Sequence, residues 1–113
     1  MVADTVTVMP SGQDMIVAAV TLKGRQDKRR EIMQTISGIA DQVRRCEGCF
    51  GVNCYQDIND RNVFYYVQQW RSREDLDGHL NSKLFAALLG IKSILAEPPR
   101  IEHMNRNGEW TFG

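Results

Sequence analysis

Residues 63–70 read Val-Phe-Tyr-Tyr-Val-Gln-Gln-Trp, and they are the most strand-like stretch of the chain. Aromatic and β-branched side chains favour extended backbone, so this stretch predicts a β-strand. Residues 50–56 form a second run of this kind, and the polar residues 57–62 separate the two runs. Two such runs joined by a short polar turn are typical of an antiparallel hairpin.

The segments before the hairpin predict a strand and a helix. Residues 15–22, Met-Ile-Val-Ala-Ala-Val-Thr-Leu, are rich in β-branched side chains and predict a strand that ends before Gly24. The segment 26–45 predicts an amphipathic helix, because apolar residues recur there at intervals of three and four. These apolar residues are Ile32, Ile36, Ile39, Ala40 and Val43.

A second helical region follows the hairpin. Ser72 precedes two acidic residues and predicts a helix N-cap. The helix is expected to run from Arg73, to restart at residues 81–82 and to continue towards Leu95, with Gly90 as an interruption.

Two prolines at residues 98–99 end this region, since proline lacks an amide donor, and residues 100–105 predict a fourth strand. The order strand, helix, strand, strand, helix, strand is the split βαβ arrangement of a ferredoxin-like α+β domain with a four-stranded antiparallel sheet. We assign this domain to residues 14–105, with an N-terminal arm at 1–13 and a C-terminal tail or short extra strand at 106–113.

One face of the predicted sheet has no helix to cover it. If Trp70 points towards the helices, the uncovered face carries alternating apolar residues, which are Val17, Ala19, Val63, Tyr65 and Val67. An apolar sheet face of this kind is usually buried against a second copy of the chain. The pattern therefore predicts a homodimer.

Composition and charge argue against several classes of function. The 113 residues carry fourteen basic and fourteen acidic side chains, so the formal net charge is zero, whereas nucleic-acid-binding proteins normally have a basic surplus. No apolar run approaches the ~20 residues that span a bilayer, and no signal peptide is visible. The sequence has three cysteines, an odd number, so we expect a cytoplasmic protein with reduced thiols. From the charge balance and the lack of a long apolar run, we expect no nucleic-acid or membrane partner.

Two stretches of the sequence are recognisable. Residues 47–57 read Glu-Gly-Cys-Phe-Gly-Val-Asn-Cys-Tyr-Gln-Asp, and residues 62–80 read Asn-Val-Phe-Tyr-Tyr-Val-Gln-Gln-Trp-Arg-Ser-Arg-Glu-Asp-Leu-Asp-Gly-His-Leu. With the aromatic strand that ends at Trp70 and the acidic-capped helix that carries His79, the chain resembles the antibiotic biosynthesis monooxygenase (ABM) family over residues 14–104. The resemblance implies a dimeric α/β barrel in which two ferredoxin-like sheets face each other.

The family includes small quinol monooxygenases, so the resemblance implies oxygenation of a phenolic or quinol-like ring by dioxygen without metal, flavin or haem. Such chemistry requires an apolar pocket for a planar ring and a base that removes a phenolic proton. His79 is the candidate base, because an unperturbed imidazole titrates at about pH 6.5. Trp70 offers a flat wall, and its indole N–H could hold a substrate oxygen.

Further side chains complete the predicted site. Alternate residues of an extended strand point the same way, so three residues share the face that carries the Trp70 indole: Phe64, Tyr66 and Gln68. Tyr66 is the next candidate for proton transfer. From the second helical region, Phe85 and Leu89 would cover the pocket.

Other roles are open for the same residues. His79 can be a half-exposed helical residue without a substrate, and Trp70, Phe64 and Phe85 can be core residues. His103 on the last strand is expected to be structural or exposed rather than catalytic. For the whole protein, the alternative is a non-catalytic dimeric barrel that binds a hydrophobic small molecule or acts in a stress response.

A haem-degrading branch of the same family is a second alternative. Its members resemble this chain in pairing a strand Trp with a helical His, which binds the haem iron. They also place an Asn on the first strand near the haem, and residues 15–22 contain no Asn. We therefore expect no cofactor.

The segment Cys46-Glu-Gly-Cys49 has the spacing of a thiol redox motif. It follows a predicted helix C-terminus, where the helix dipole disfavours a thiolate. A structural zinc site needs four ligands, and Cys54 is the one further cysteine of the sequence. We expect neither a redox nor a metal role for these cysteines.

Overall fold

The computed structural model describes residues 15–104 and the backbone of residues 110–112. The strands among them are β1 (Ile16–Lys23), β2 (Cys49–Gln56), β3 (Val63–Trp70), β4 (Arg100–Met104) and β5 (Trp110–Phe112). The α-helices are α1 (Arg29–Val43), α2 (Arg73–Leu80) and α3 (Lys83–Leu89), and 3-10 helices lie at Gln26–Lys28 and Gly90–Ile94. The predicted arm at residues 1–13 lies outside the described residues.

The strands form one antiparallel sheet in the order β2-β3-β1-β4-β5. The first four strands have the order and connections of a ferredoxin-like fold, so the predicted α+β class is confirmed. β5 pairs with β4, whose outer backbone groups would otherwise form a free edge. Among the described residues, no helix is long and apolar enough to span a membrane.

The core lies between the sheet and the helices. Every second residue of the two central strands is buried, and these residues are Ile16, Ala18, Val20 and Leu22 on β1 and Phe64, Tyr66, Gln68 and Trp70 on β3. The predicted apolar stripe of α1 is buried against them. The opposite face of the sheet is open in the single chain, and Val17 and Val67 are half-buried there.

Serine side chains fix the starts of α2 and α3. The Ser72 hydroxyl accepts a hydrogen bond from the Asp75 amide (3.1 Å), as the N-cap prediction requires, and the Ser82 hydroxyl accepts one from the Phe85 amide (3.2 Å). The predicted interruption at Gly90 is also observed, because the chain changes there from α-helix to 3-10 helix.

The first helix is shorter than predicted. A 3-10 turn covers Gln26–Lys28, and the α-helix begins at Arg29 and ends at Val43. Lys28 occupies the N-cap position, but its side chain makes no capping hydrogen bond and instead donates to the Glu31 carboxylate (3.5 Å). Without a capping side chain, the first amide groups of the helix lack a hydrogen-bond acceptor, and a tighter 3-10 turn is common at such a helix start.

A tight turn joins α1 to β2 and contacts α2. The Cys49 amide donates a hydrogen bond to the Cys46 carbonyl (3.2 Å), and the turn contains Gly48 with a φ of +87°. The Arg71 amide donates to the Gly48 carbonyl (2.7 Å). A β-carbon on Gly48 would lie 2.7 Å from the carboxyl carbon of Asp75. Both the backbone angle and this close approach require glycine.

Gly48→Ala should lower the free energy of unfolding by roughly 1–3 kcal/mol, because alanine is strained at this φ and its methyl group meets Asp75. Gly38→Ala is the matched control: Gly38 lies on an exposed face of α1 with nothing within 4 Å of an added β-carbon. Alanine there should raise stability by up to about 1 kcal/mol. Urea unfolding measures both changes, and equal changes of the same sign would contradict the prediction.

Candidate active site

The end of β3 and helix α2 bring an indole and an imidazole together. The ring centroids of Trp70 and His79 are 4.8 Å apart and the ring planes are 27° from parallel, which is a stacked arrangement. Phe85 of α3 meets the same imidazole edge-on, with centroids 5.5 Å apart. We call these three residues the aromatic cluster. His79 is 6% exposed, so it is buried rather than half-exposed.

The local sequence explains how the cluster forms. Trp70 is the last residue of β3, and strand alternation turns its side chain towards the helices. α2 begins three residues later, and His79 follows the buried Leu76 by three residues, so both project from one side of the helix. Ser82, which donates a hydrogen bond to the His79 carbonyl (2.6 Å), then starts the next helix.

A buried amide adjoins the cluster. Trp70 Nε1 donates to Gln68 Oε1 (2.9 Å), and Gln68 is fully buried. The indole N–H, which the sequence suggested as a donor to a substrate oxygen, is therefore used within the protein. Gln68 Nε2 has no hydrogen-bond partner among the described residues, although buried donors normally have one.

Burial determines the protonation state of His79. Desolvation lowers its pKa, because removal from water disfavours the imidazolium ion. The side chain is therefore neutral at neutral pH. Its buried Nε2 has no hydrogen-bond partner within the described part of the chain, and a neutral imidazole can accept a proton from a phenolic hydroxyl.

Trp70 and His79 of the aromatic cluster line a groove of about 610 Å³ that opens to solvent. Trp70, His79 and Leu84 form one part of its lining, and the other polar side chains at its rim are Cys46, Glu47, Arg71, Glu74, Asp75 and Ser82. Arg71 Nε donates to Asp75 Oδ2 (2.7 Å), and this hydrogen bond holds the pKa of Asp75 below its usual range. The groove thus combines a charged rim with a neutral histidine.

Five of the predicted site residues do not line this groove, namely Phe64, Tyr66, Gln68, Phe85 and Leu89. Phe64 is six residues before Trp70, about 20 Å along the strand, and it lines a separate groove of about 170 Å³ between α1 and β2. Leu89 is half-buried at the end of α3, one turn after Phe85. The predicted site residues that the structure brings together are Trp70, His79, Phe85 and Gln68.

Tyr66 lies between Phe64 and Gln68 on β3, and its buried hydroxyl has no hydrogen-bond partner among the described residues. Burial raises the pKa of this phenol, and the nearby Cys54 thiol raises it further. Tyr66 therefore stays protonated at neutral pH. It can donate a hydrogen bond, but it is a poor base.

His103 is a buried histidine that the sequence reasoning did not place in the site. It is 8% exposed, and neither ring nitrogen has a hydrogen-bond partner in the described part of the chain. On the helix-facing side of the sheet it lies opposite Ala18, which in turn lies opposite Gln68. Burial lowers its pKa, and the Arg73 charge lowers it further. Because successive side chains of a strand point to opposite faces of the sheet, the position of His103 on β4 could have predicted that it faces the helices.

Fold and site together define a ferredoxin-like domain with a neutral, buried histidine in an aromatic cluster beside a groove. The sequence matches the antibiotic biosynthesis monooxygenase family over residues 15–89. The chain therefore belongs to that family.

Several individual proteins are similar to this chain. An uncharacterised protein of Synechocystis sp. is 29% identical over 90 residues, which cover 79% of this chain and 61% of that protein. A conserved protein from Methanosarcina mazei has a TM-score of 0.77 at 18% identity, over 83% of this chain and 94% of that one. A protein from Nitrosomonas europaea, provisionally named an antibiotic biosynthesis monooxygenase, has a TM-score of 0.72 at 18% identity, over 78% and 94%. At these identities the structural likeness shows the fold alone.

The lowered pKa of His79 predicts acid sensitivity. Since the folded state holds the ring neutral, the unfolded state binds the proton more readily, and the free energy of unfolding falls as the pH drops below about 6.5. His79→Phe keeps a ring in the cluster and removes the titration, so its stability should fall less than that of the wild type between about pH 7.5 and about pH 5. Urea unfolding at both pH values measures the difference.

His103→Phe is the companion variant, because the pKa of His103 is lowered as well. In each single variant the free energy of unfolding should depend less on pH than in the wild type, and in the double variant it should depend less on pH than in either single variant. Equal pH dependence in the wild type and in His79→Phe would refute the neutral state assigned to His79.

Proposed function

We propose that the protein is a cofactor-independent monooxygenase or quinol oxidase that acts with dioxygen on a phenolic or quinol-like aromatic molecule. The observation that carries this proposal is the buried, neutral imidazole of His79, stacked on Trp70 beside a groove. Membership of the ABM family supports an oxygenase. The groove volume of about 610 Å³ lies within the range of small-molecule sites, roughly 300–1,000 Å³.

Proton removal starts the proposed reaction. His79 accepts the phenolic proton, and the electron-rich phenolate gives an electron to dioxygen. A quinol loses two electrons and two protons to become the quinone, and dioxygen takes them up to form hydrogen peroxide. With an anthrone-like ring, one oxygen atom becomes the carbonyl of a ring CH₂ carbon, and the other leaves with its two hydrogens as water.

Orientation of the ring is the second contribution of the protein. The Trp70 indole supplies a flat wall. Gln68 Nε2 is a buried donor without a protein partner among the described residues, so it suits the oxygen of a phenolate. Phe85 holds the imidazole from a second side, which limits the directions from which a substrate can approach it.

A non-catalytic protein that binds an aromatic molecule is the second candidate. The groove opens to solvent and has a charged rim, whereas an oxygenase benefits from excluding water around a reactive anion. Binding of a hydroquinone without oxygen uptake would identify this function.

Haem is not part of the proposal, because the residues do not fit it. The helix-facing side chains of β1 are all apolar, namely Ile16, Ala18, Val20 and Leu22, so this strand offers no polar group to a haem.

We also propose that the protein is a homodimer formed through the open face of the sheet. At the centre of that face, Val67 lies between Ala19 of β1 and Asn53 of β2. Val17 and Tyr65 are half-buried on the same face, and a second copy would remove these apolar side chains from water.

His79→Phe should lower the rate of oxygen uptake by about 100-fold or more, the usual scale for one acid–base group. The phenyl ring can still stack on Trp70, so the loss would not come from unfolding. An oxygen electrode measures the rate with a panel of hydroquinones and anthrones, and anaerobic incubation of the same mixtures shows whether turnover needs dioxygen.

Tyr66→Phe is the matched control, since it removes a buried hydroxyl that is a poor base. Its rate should fall less than that of His79→Phe. Unchanged uptake in His79→Phe would show that another group removes the proton. A Soret shift on addition of haem would favour the haem branch instead.

Val67→Lys should separate the dimer or prevent folding, because it places a charge at the centre of the proposed interface. Gln34→Lys, on an exposed face of α1, adds the same charge away from the interface. This variant should keep the molecular mass of a dimer in solution. Light scattering measures the mass at micromolar concentration. A monomer mass for the wild type would overturn the proposed dimer.

A further inference from the structure

The Cys46-Glu-Gly-Cys49 segment is a turn that begins and ends at a cysteine. The Cys49 amide donates to the Cys46 carbonyl (3.2 Å), and Gly48 has a left-handed φ of +87°. A four-residue turn brings its end Cα atoms within about 7 Å of each other. Disulfides join residues whose Cα atoms are about 4.4–6.8 Å apart, a range that overlaps the Cα separation of such a turn.

The two thiols are free and half-buried. Burial raises the pKa of Cys49, and the neighbouring Cys46 thiol raises it further. Each sulfur makes a weak contact of 3.7 Å to a carbonyl oxygen, Cys46 to Gln42 and Cys49 to Gly51. A dithiol whose thiolates are not stabilised gives up its electrons more readily than one with a low pKa.

We propose that Cys46 and Cys49 are a site of reversible oxidation, at which a small disulfide of the glutathione type converts the two thiols into a Cys46–Cys49 disulfide. The helix C-terminus lowers the fraction of thiolate at equilibrium and so slows the exchange. The turn geometry concerns whether the product disulfide fits, and it favours the product.

The reaction proceeds in two exchanges. The Cys46 thiolate, which lines the groove, attacks one sulfur of the small disulfide and releases one small thiol. The Cys49 thiolate then attacks the Cys46 sulfur of the mixed disulfide and releases the second. The protein loses two electrons and two protons, and the small disulfide gains them as it becomes two thiols.

Oxidation would act on the groove of the candidate active site. Cys46 and Glu47 line its rim, and the Gly48 carbonyl accepts a hydrogen bond from the Arg71 amide at the start of the link to α2. A disulfide would remove a thiol from the groove wall and restrict the turn to one conformation. Formation of the disulfide does not depend on the proposed oxygenase activity.

Oxidised glutathione tests the proposal on the full chain. The wild type should lose the mass of two hydrogens in intact-mass spectrometry, keep one free thiol of three, and regain both hydrogens with dithiothreitol. Peptide mapping should place the disulfide between Cys46 and Cys49. Cys54→Ser is the matched control and should form the same disulfide, because Cys54 lies five residues after Cys49, about 16 Å along β2.

Cys49→Ser separates the two exchanges. Without the second thiol, the reaction should stop at the first step, and the variant should gain one glutathionyl group at Cys46. A wild type that keeps three free thiols, that accumulates the glutathionyl adduct, or that forms a disulfide with Cys54 would overturn the proposal.

Discussion

The stacking of a buried imidazole on an indole is the interaction on which the rest of this site depends. Trp70 reaches His79 because β3 ends at the indole and Ser72 starts the next helix almost at once. Ser82 then starts α3 in time for Phe85 to meet the same imidazole. Two serine caps and one strand end therefore determine where the aromatic cluster forms, and the groove lies beside that cluster.

The cluster separates two electrostatic environments. At the rim, Arg71 and Asp75 form an ion pair that contacts solvent. In the interior, His79 is neutral because it is buried, and Gln68 Nε2 is a donor without a partner among the described residues. Under the proposed function, a phenol passes from the rim to the interior, where a neutral base takes its proton and a buried amide donates to the resulting anion.

Signals that act over a few residues made most of the fold predictable: the aromatic alternation of residues 63–70, the cap at Ser72 and the break at Gly90. Such local signals do not predict the burial of His79. α2 has eight residues and only weak amphipathic character, so packing against β3 and α3 decides which side is buried. Phe64 shows a second limit, because residues on one strand face need not share a pocket when they are about 20 Å apart.

The most direct test of this account is the titration of the His79 imidazole by long-range ¹H–¹⁵N NMR, with His79→Phe used to assign its signals. The account predicts a neutral ring at neutral pH and a pKa below the ordinary value of about 6.5. It also predicts that the ring signals shift when a redox-inert phenol is added without oxygen. A ring that titrates at about 6.5 and does not respond to the phenol would contradict the assignment of His79 as the buried base.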